Sequence, residues 1–191
     1  RDGSTAKLCG NGLRCAIDYL KTDEIGSILV DGIFYDYVNE DEITVTLIRK
    51  NEVRFFFDSI EYSGMIFDFV LVDMIVPHVV LIDLQGTEED LVREIRKKEK
   101  YKKASINFYL KGKINTYEHG VGLTSSCGTG SAAVGFVLDK DIHIENDYGK
   151  MDVLINDYVQ LRSKVKLIFK GVYYVWYSDS GSEWTSRKNV P

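Results

Sequence analysis

Cysteine and proline are scarce: three and two residues in a chain of 191. Three thiols cannot all pair within one chain, which argues against a disulfide framework and for a reducing, cytoplasmic setting. Cys9 and Cys15 lack the CxxC spacing and Cys127 lies far from both, so a four-ligand zinc site is not expected, nor any other metal. No apolar run approaches the roughly 20 residues of a membrane span. A net charge of −5, with no basic patch carrying interleaved aromatics, argues against a nucleic-acid partner. No pyridoxal, flavin or nucleotide motif is evident, so no cofactor is expected. The chain opens on Arg1-Asp2-Gly3-Ser4, polar and turn-like rather than a signal peptide, and the expectation is that an N-terminal portion precedes it.

What is present is globular composition, with 45% apolar and 28% charged residues, in a chain long enough to bury a core. Residues 10–20 predict a helix, with Leu13, Ala16, Ile17 and Leu20 at helical spacing, and residues 128–138 predict another through Ala132, Ala133, Phe136 and Val137. A third is expected over about 88–100, with Thr87 and Asp90 as a capping box and Leu91, Val92 and Ile95 as its apolar stripe. Its ion pairs are expected at Glu89–Arg93 and Glu94–Lys98. Strands are expected at 43–47, 53–57, 66–74, 79–83, 105–109 and 165–169, rich in β-branched and aromatic residues, with hairpin turns at Asn51-Glu52 and Lys111-Gly112-Lys113. Many strands with few helices make the class α+β. The segment from Ser178 to Pro191 predicts a loose tail.

One short motif repeats. Leu8-Cys9-Gly10-Asn11-Gly12 opens the first helix, and Ser126-Cys127-Gly128-Thr129-Gly130 opens the second, about a domain's length further on. A thiol just before a helix sits at the positive end of the macrodipole, which lowers its pKa from about 8.5. The glycines let backbone N–H groups approach an anion such as a carboxylate. Two such units facing each other form the layout of a two-base racemase. One thiolate removes an α-proton, the opposite thiol delivers a proton to the other face, and the helix ends stabilise the developing charge by roughly 3 kcal/mol per well-placed group. Cys15, one helical turn beyond Asn11, is read as a small buried hydrophobe. His78 follows Pro77 at the end of an apolar strand, where it could orient or deprotonate a thiol, or be a satisfied core histidine. Glu118 and His119 lie just upstream of the second cysteine and could reach the same pocket. His143, between Ile142 and Ile144, is read as structural.

Taken together these residues resemble the diaminopimelate epimerase family. Asp2-Gly3-Ser4 with Cys9-Gly10-Asn11-Gly12-Leu13-Arg14-Cys15 resembles its first cysteine motif. Tyr117-Glu118-His119-Gly120-Val121-Gly122 with Cys127-Gly128-Thr129-Gly130-Ser131 resembles its second, and Pro77-His78-Val79-Val80 its Pro-His element. The resemblance covers roughly Asp2 to Tyr177. It implies an α+β fold of two pseudosymmetric halves, each a mixed barrel-like sheet around a central helix. The implied division is 1–62 plus 172–183 for the first half, its opening strands lying before Arg1, then 63–171 for the second and 184–191 as tail.

The resemblance also implies a cofactor-independent isomerase that interconverts LL- and meso-diaminopimelate in lysine and cell-wall precursor synthesis. Cys9 and Cys127 would be the acid/base pair, with His78 and Glu118 as supporting acid/base groups. Gly10, Asn11, Gly128 and Thr129 would hold the reacting carboxylate, and Ser105 and His119 would lie at the distal end of the substrate. The implied partner is a small-molecule amino acid, and a homodimer stays open. The departures from the family pattern fall on the distal side. Val76 and Ile75 stand for its asparagine and glycine before Pro-His, Ser105 for a second asparagine, His119 for an arginine and Leu123 for a glutamate. Losing the arginine fork removes bidentate carboxylate recognition. Three readings are open: a divergent diaminopimelate epimerase, a racemase of another amino acid such as histidine, or an inactive truncated homologue.

Overall fold

The computed structural model describes residues 7–84, 89–124, 127–146, 149–166, 176–178 and 184–186. The first helix, α1 (Gly10–Leu20), leads into an antiparallel run of β1 (Ile25–Val30), β2 (Ile33–Asn39) and β3 (Ile43–Arg49). A single 3-10 turn, Lys50–Glu52, passes the chain to β4 (Arg54–Tyr62), followed by β5 (Met65–Asp73) and β6 (Pro77–Ile82). Next come α2 (Glu89–Lys97), β7 (Ser105–Leu110), β8 (Lys113–Glu118) and β9 (Gly122–Thr124). Then come α3 (Gly128–Leu138), β10 (Ile142–Asn146), β11 (Gly149–Ile155) and β12 (Tyr158–Ser163). A short hairpin of β13 (Trp176–Ser178) and β14 (Trp184–Ser186) is the last described element.

The strands form two six-stranded sheets, in the orders β1-β2-β3-β12-β11-β10 and β4-β5-β6-β7-β8-β9. The first is antiparallel throughout. The second contains one parallel pair, β6 with β7, and α2 lies on the connection between them. A parallel pair needs such a crossover, because a tight turn can join only antiparallel neighbours. Lys111 and Gly112, at φ 47° and 85°, make the two-residue turn between β7 and β8 that the sequence predicts.

Helix α3 lies against both sheets, touching β5, β6 and β7 on one side and β11 and β12 on the other. Its residues from Gly128 through Gly135 are all buried. The run Gly-Thr-Gly-Ser-Ala-Ala-Val-Gly explains this placement, since small side chains let a helix pass between two sheets. At Gly135 an added Cβ would lie 2.8 Å from Val153 Cγ1. Helix α1 is amphipathic instead: Leu13 and Ile17 pack inward against β3, while Tyr19 and Leu20 are exposed. Leu20 therefore leaves the expected stripe. Cys15 is exposed too, which overturns its reading as a buried hydrophobe; it lies on the side of α1 away from Leu13 and Ile17.

A second apolar cluster covers the other face of the second sheet. Leu91, Val92 and Ile95 of α2 pack on Val79, Leu81, Ile106 and Phe108. Leu91 and Ile95 are wholly buried, each stabilising the fold by about 2 kcal/mol. The ion pair Glu89–Arg93 forms as expected. Glu94 pairs with Lys97 rather than Lys98, whose ammonium turns to Asp58 and the Ser59 carbonyl.

Other expectations change. Asn51-Glu52 does not close a hairpin, because β3 and β4 belong to different sheets. The β4–β5 hairpin turns between Tyr62 and Met65, and β12 pairs with β3, which places β10 to β12 in the first sheet. Residues 184–186, expected within the tail, pair with 176–178. Asp2-Gly3-Ser4, the Thr87 cap, most of the strand expected at 165–169 and most of 172–183 lie outside the described residues. No described helix is long and apolar enough to cross a membrane.

Candidate active site

The repeated sequence motif is a repeated structure. Cys9 and Cys127 are the N-cap residues of α1 and α3, both extended, at φ −122°, ψ 104° and φ −105°, ψ 109°. Each sulfur accepts a hydrogen bond from the N–H three residues on: Gly12 to Cys9 Sγ at 3.3 Å and Gly130 to Cys127 Sγ at 3.4 Å. Each helix runs 11 residues and ends on a left-handed residue, Lys21 or Asp139. Sulfur here does what a serine or aspartate oxygen commonly does at a helix start.

The two helix starts meet. A Cβ placed on Gly128 would lie 3.6 Å from Gly10 Cα and 3.2 Å from Asn11 Oδ1. One placed on Gly10 would lie 4.0 Å from the Thr129 nitrogen and 2.9 Å from Leu161 Cδ1. The glycines at 10 and 128 thus allow backbone to approach backbone. The positive ends of two macrodipoles converge there, an arrangement suited to an anion. Within α3 the cap engages Gly130 N–H and the first helical bond engages Ser131 N–H, so the amides of Gly128 and Thr129 lie ahead of the helix's own hydrogen-bond ladder.

The environments of the two thiols differ. Cys9 is exposed, whereas Cys127 is 7% exposed. Burial, and then the nearby Glu118 carboxylate, push the Cys127 thiol up to about 12, against the opposing pull of the Gly130 N–H and the Thr129 hydroxyl. This reverses the expectation that both helix starts lower the thiol pKa. At Cys127, removal from water and a neighbouring negative charge outweigh the helix end.

A row of polar side chains crosses the second sheet beneath α3. His78 on β6, Asn107 on β7 and Thr116 on β8 are buried and share the face that carries Val80 and Ile114; Val79, Ile106 and Tyr117 point the other way into the α2 cluster. Asn107 Nδ2 lies 3.2 Å from His78 Nδ1, and Thr116 Oγ1 donates to Asn107 Oδ1 at 2.9 Å. Burial alone pulls the His78 pKa down to about 4, so the ring is neutral at physiological pH. Its Nε2 is buried and has no hydrogen-bond partner among the described residues.

Glu118, half-buried at the end of β8, accepts from Thr124 Oγ1 at 2.6 Å and faces Cys127. His119 is exposed, and its N–H donates to Ser105 Oγ at 3.3 Å. The described contacts therefore take Glu118 to the thiol and His119 to Ser105, so the adjacent pair divides between two places. His143 is on the surface beside Asp152, as its structural reading expects.

Sequence reasoning missed Asn107, Thr116 and Arg14. Arg14 is 3% exposed and reaches Asn11 Oδ1 at 2.7 Å, three residues back on the same helix face. A polar residue flanked by Ile106 and Phe108 in a strand was the available signal for Asn107. Among the described residues, no group of three or more His, Cys, Asp and Glu is placed to hold a metal ion. Cavities of about 490 and 660 Å³, both bordered by Arg49 and Tyr158, are lined by neither cysteine.

No family model matches the chain. It is 30% identical over 199 positions to a diaminopimelate epimerase of Clostridium acetobutylicum, an alignment covering 81% of this chain and 58% of that protein. Proteins of the same name are 26% identical in Campylobacter lari, covering 90% and 74%, and 31% identical in Campylobacter jejuni (strain RM1221), covering 76% and 60%. The chain thus spans about three-fifths of the length of the first and last of these relatives. A solved structure named for phenazine biosynthesis PhzC/PhzF, from Clostridium difficile (strain 630), is similar in fold. Its TM-score is 0.54 at 11% identity, over 89% of this chain and 74% of that one.

Proposed function

The chain is a divergent member of the diaminopimelate epimerase family, and from that premise we propose that it is a cofactor-independent isomerase inverting the α-carbon of an amino acid. The observation that carries this reading is the meeting of two cysteine-capped helix starts at Gly10 and Gly128. A carboxylate bound at that junction by amides of Gly10, Asn11, Gly128 and Thr129 has its α-carbon between the two thiols. One sulfur, as thiolate, takes the α-hydrogen. The electron pair left on carbon spreads into the carboxylate, where the helix ends stabilise it. The other sulfur gives its proton to the opposite face, so one proton is removed and one is added.

Cys127 rests as the proton-bearing partner, because burial and Glu118 hold its proton on. Glu118 accepts that proton when the reaction runs the other way, and His78 supports the same exchange from the sheet. The substrate proposed is diaminopimelate, interconverted between its LL and meso forms. A second reading, racemisation of another amino acid such as histidine, is favoured by one contact. Ser105 and His119, two of the distal positions that depart from the family pattern, are neighbours, with the His119 backbone N–H donating to Ser105 Oγ.

The test is exchange of the α-hydrogen in deuterium oxide, under reducing conditions, with diaminopimelate and a panel of other amino acids. Exchange with diaminopimelate is the expected result. Exchange with histidine alone moves the assignment to the second reading, and no exchange with any amino acid overturns both.

A further inference from the structure

We infer that Asn107 is a positioning residue that decides which ring nitrogen of His78 carries the proton, keeping it on Nε2. The orientation of the Asn107 amide is fixed by its surroundings. One end lies 2.9 Å from the Val79 carbonyl and 3.4 Å from the Ser105 carbonyl, both of which only accept. That end is therefore the NH2 group. The other end accepts from the Thr116 hydroxyl at 2.9 Å. A flipped amide would set oxygen against two carbonyl oxygens and is excluded.

The NH2 group has two hydrogens, and its two nearest acceptors are Val79 O and His78 Nδ1, at 2.9 and 3.2 Å. Nδ1 must then offer its lone pair, so the neutral ring carries its hydrogen on Nε2. All three members of the row are essentially without solvent contact, so water does not compete for these bonds. A buried N–H with no partner is unfavourable, and the fold accepts that at His78 Nε2.

The row is also tied to the helix that carries Cys127. A Cβ on Gly130 would lie 2.2 Å from Asn107 Oδ1, so α3 rests directly on the amide. The inference rests on the proposed function only where it concerns turnover; the tautomer is a property of the protein alone.

The experiment is nitrogen NMR of the intact protein labelled at histidine. The chain has three histidines, and His119 and His143 are exposed, which sets the buried His78 signal apart. At neutral pH the expected result is a hydrogen on Nε2 and a bare Nδ1. A hydrogen on Nδ1, or a charged ring, overturns the inference without any variant. In Asn107→Asp, an acceptor replaces the donor, and the hydrogen is expected to move to Nδ1. With it, kcat for α-hydrogen exchange should fall about tenfold or more while KM changes little. Thr116→Val leaves in place both carbonyls that fix the amide, so there the hydrogen should stay on Nε2, and its move to Nδ1 in that variant would overturn the inference. A folded Asn107→Asp protein that keeps its hydrogen on Nε2 overturns the inference. Wild-type protein that shows the expected tautomer but exchanges no amino acid overturns the proposed function and leaves this inference standing.

Discussion

The starts of α1 and α3 share a Cys-Gly-x-Gly sequence, the same sulfur cap and the same helix length, yet one thiol faces solvent and the other is buried. The difference comes from the residues C-terminal to the motif. After Gly12 the first helix alternates apolar and polar positions and packs on one sheet. After Gly130 the second helix is small and apolar all round, and two sheets enclose it. A local motif sets cap geometry; its helix's neighbours set the electrostatics of the thiol. Two chemically identical groups can thus be held ready for opposite tasks.

The largest expected effect tests whether the two starts act as one site. Cys9→Ala and Cys127→Ala should each lower α-hydrogen exchange by about 10²–10⁴-fold, the range for loss of an acid/base group. A double variant should lose little more than either single one, because neither thiol inverts a centre without the other. Full turnover in either single variant would separate the two starts and end the two-base assignment.

Next in size is the pH dependence of stability, which distinguishes the buried side from the exposed one. His78 in the folded protein sits near 4, below its ordinary 6.5. Between those values the unfolded chain binds more protons, so stability is lost as pH falls through that window, by about 3 kcal/mol in all. Cys127 sits near 12, above the ordinary range of a thiol. There the folded chain binds more protons, so stability is lost as pH rises through that window. Urea unfolding across pH should show both limbs, with Cys127→Ala flattening the alkaline limb only. An unchanged alkaline limb would mean that Cys127 is less deeply enclosed than its burial indicates.

The same contrast explains what was legible in the sequence. Both helices begin and end where their periodicity and glycine-rich openings predict, because caps and amphipathic stripes are local. The pairing of the two motifs was legible from their repetition. The raised pKa of Cys127 was not, since it depends on Glu118 and on two sheets that come together from distant parts of the chain. Strand partners were equally hidden. β12 joins β3 across about a hundred residues, and no local pattern in Ile43–Arg49 specifies that neighbour. Cys15 was misread for a related reason. Leu13, Ala16 and Ile17 near it are apolar, but Cys15 itself lies on the exposed side of α1.

The smallest expected effect compares the last glycine of each motif. At Gly12 an added Cβ would make ordinary contact, 3.5 Å from Cys9 Cβ and Sγ. Alanine there should be neutral or stabilising by up to about 1 kcal/mol, since it is the better helix former. At Gly130 the same methyl would lie 2.2 Å from Asn107 Oδ1 and 3.2 Å from Thr116 Oγ1. Those atoms belong to side chains held in a buried row, so they cannot swing aside as a flexible surface chain would. Gly130→Ala should therefore cost about 1–3 kcal/mol. Thermal unfolding of the two variants side by side measures the asymmetry directly. Equal melting temperatures would mean that α3 can lift from the sheet as freely as α1, and the contrast between the two helix starts would then be one of exposure alone.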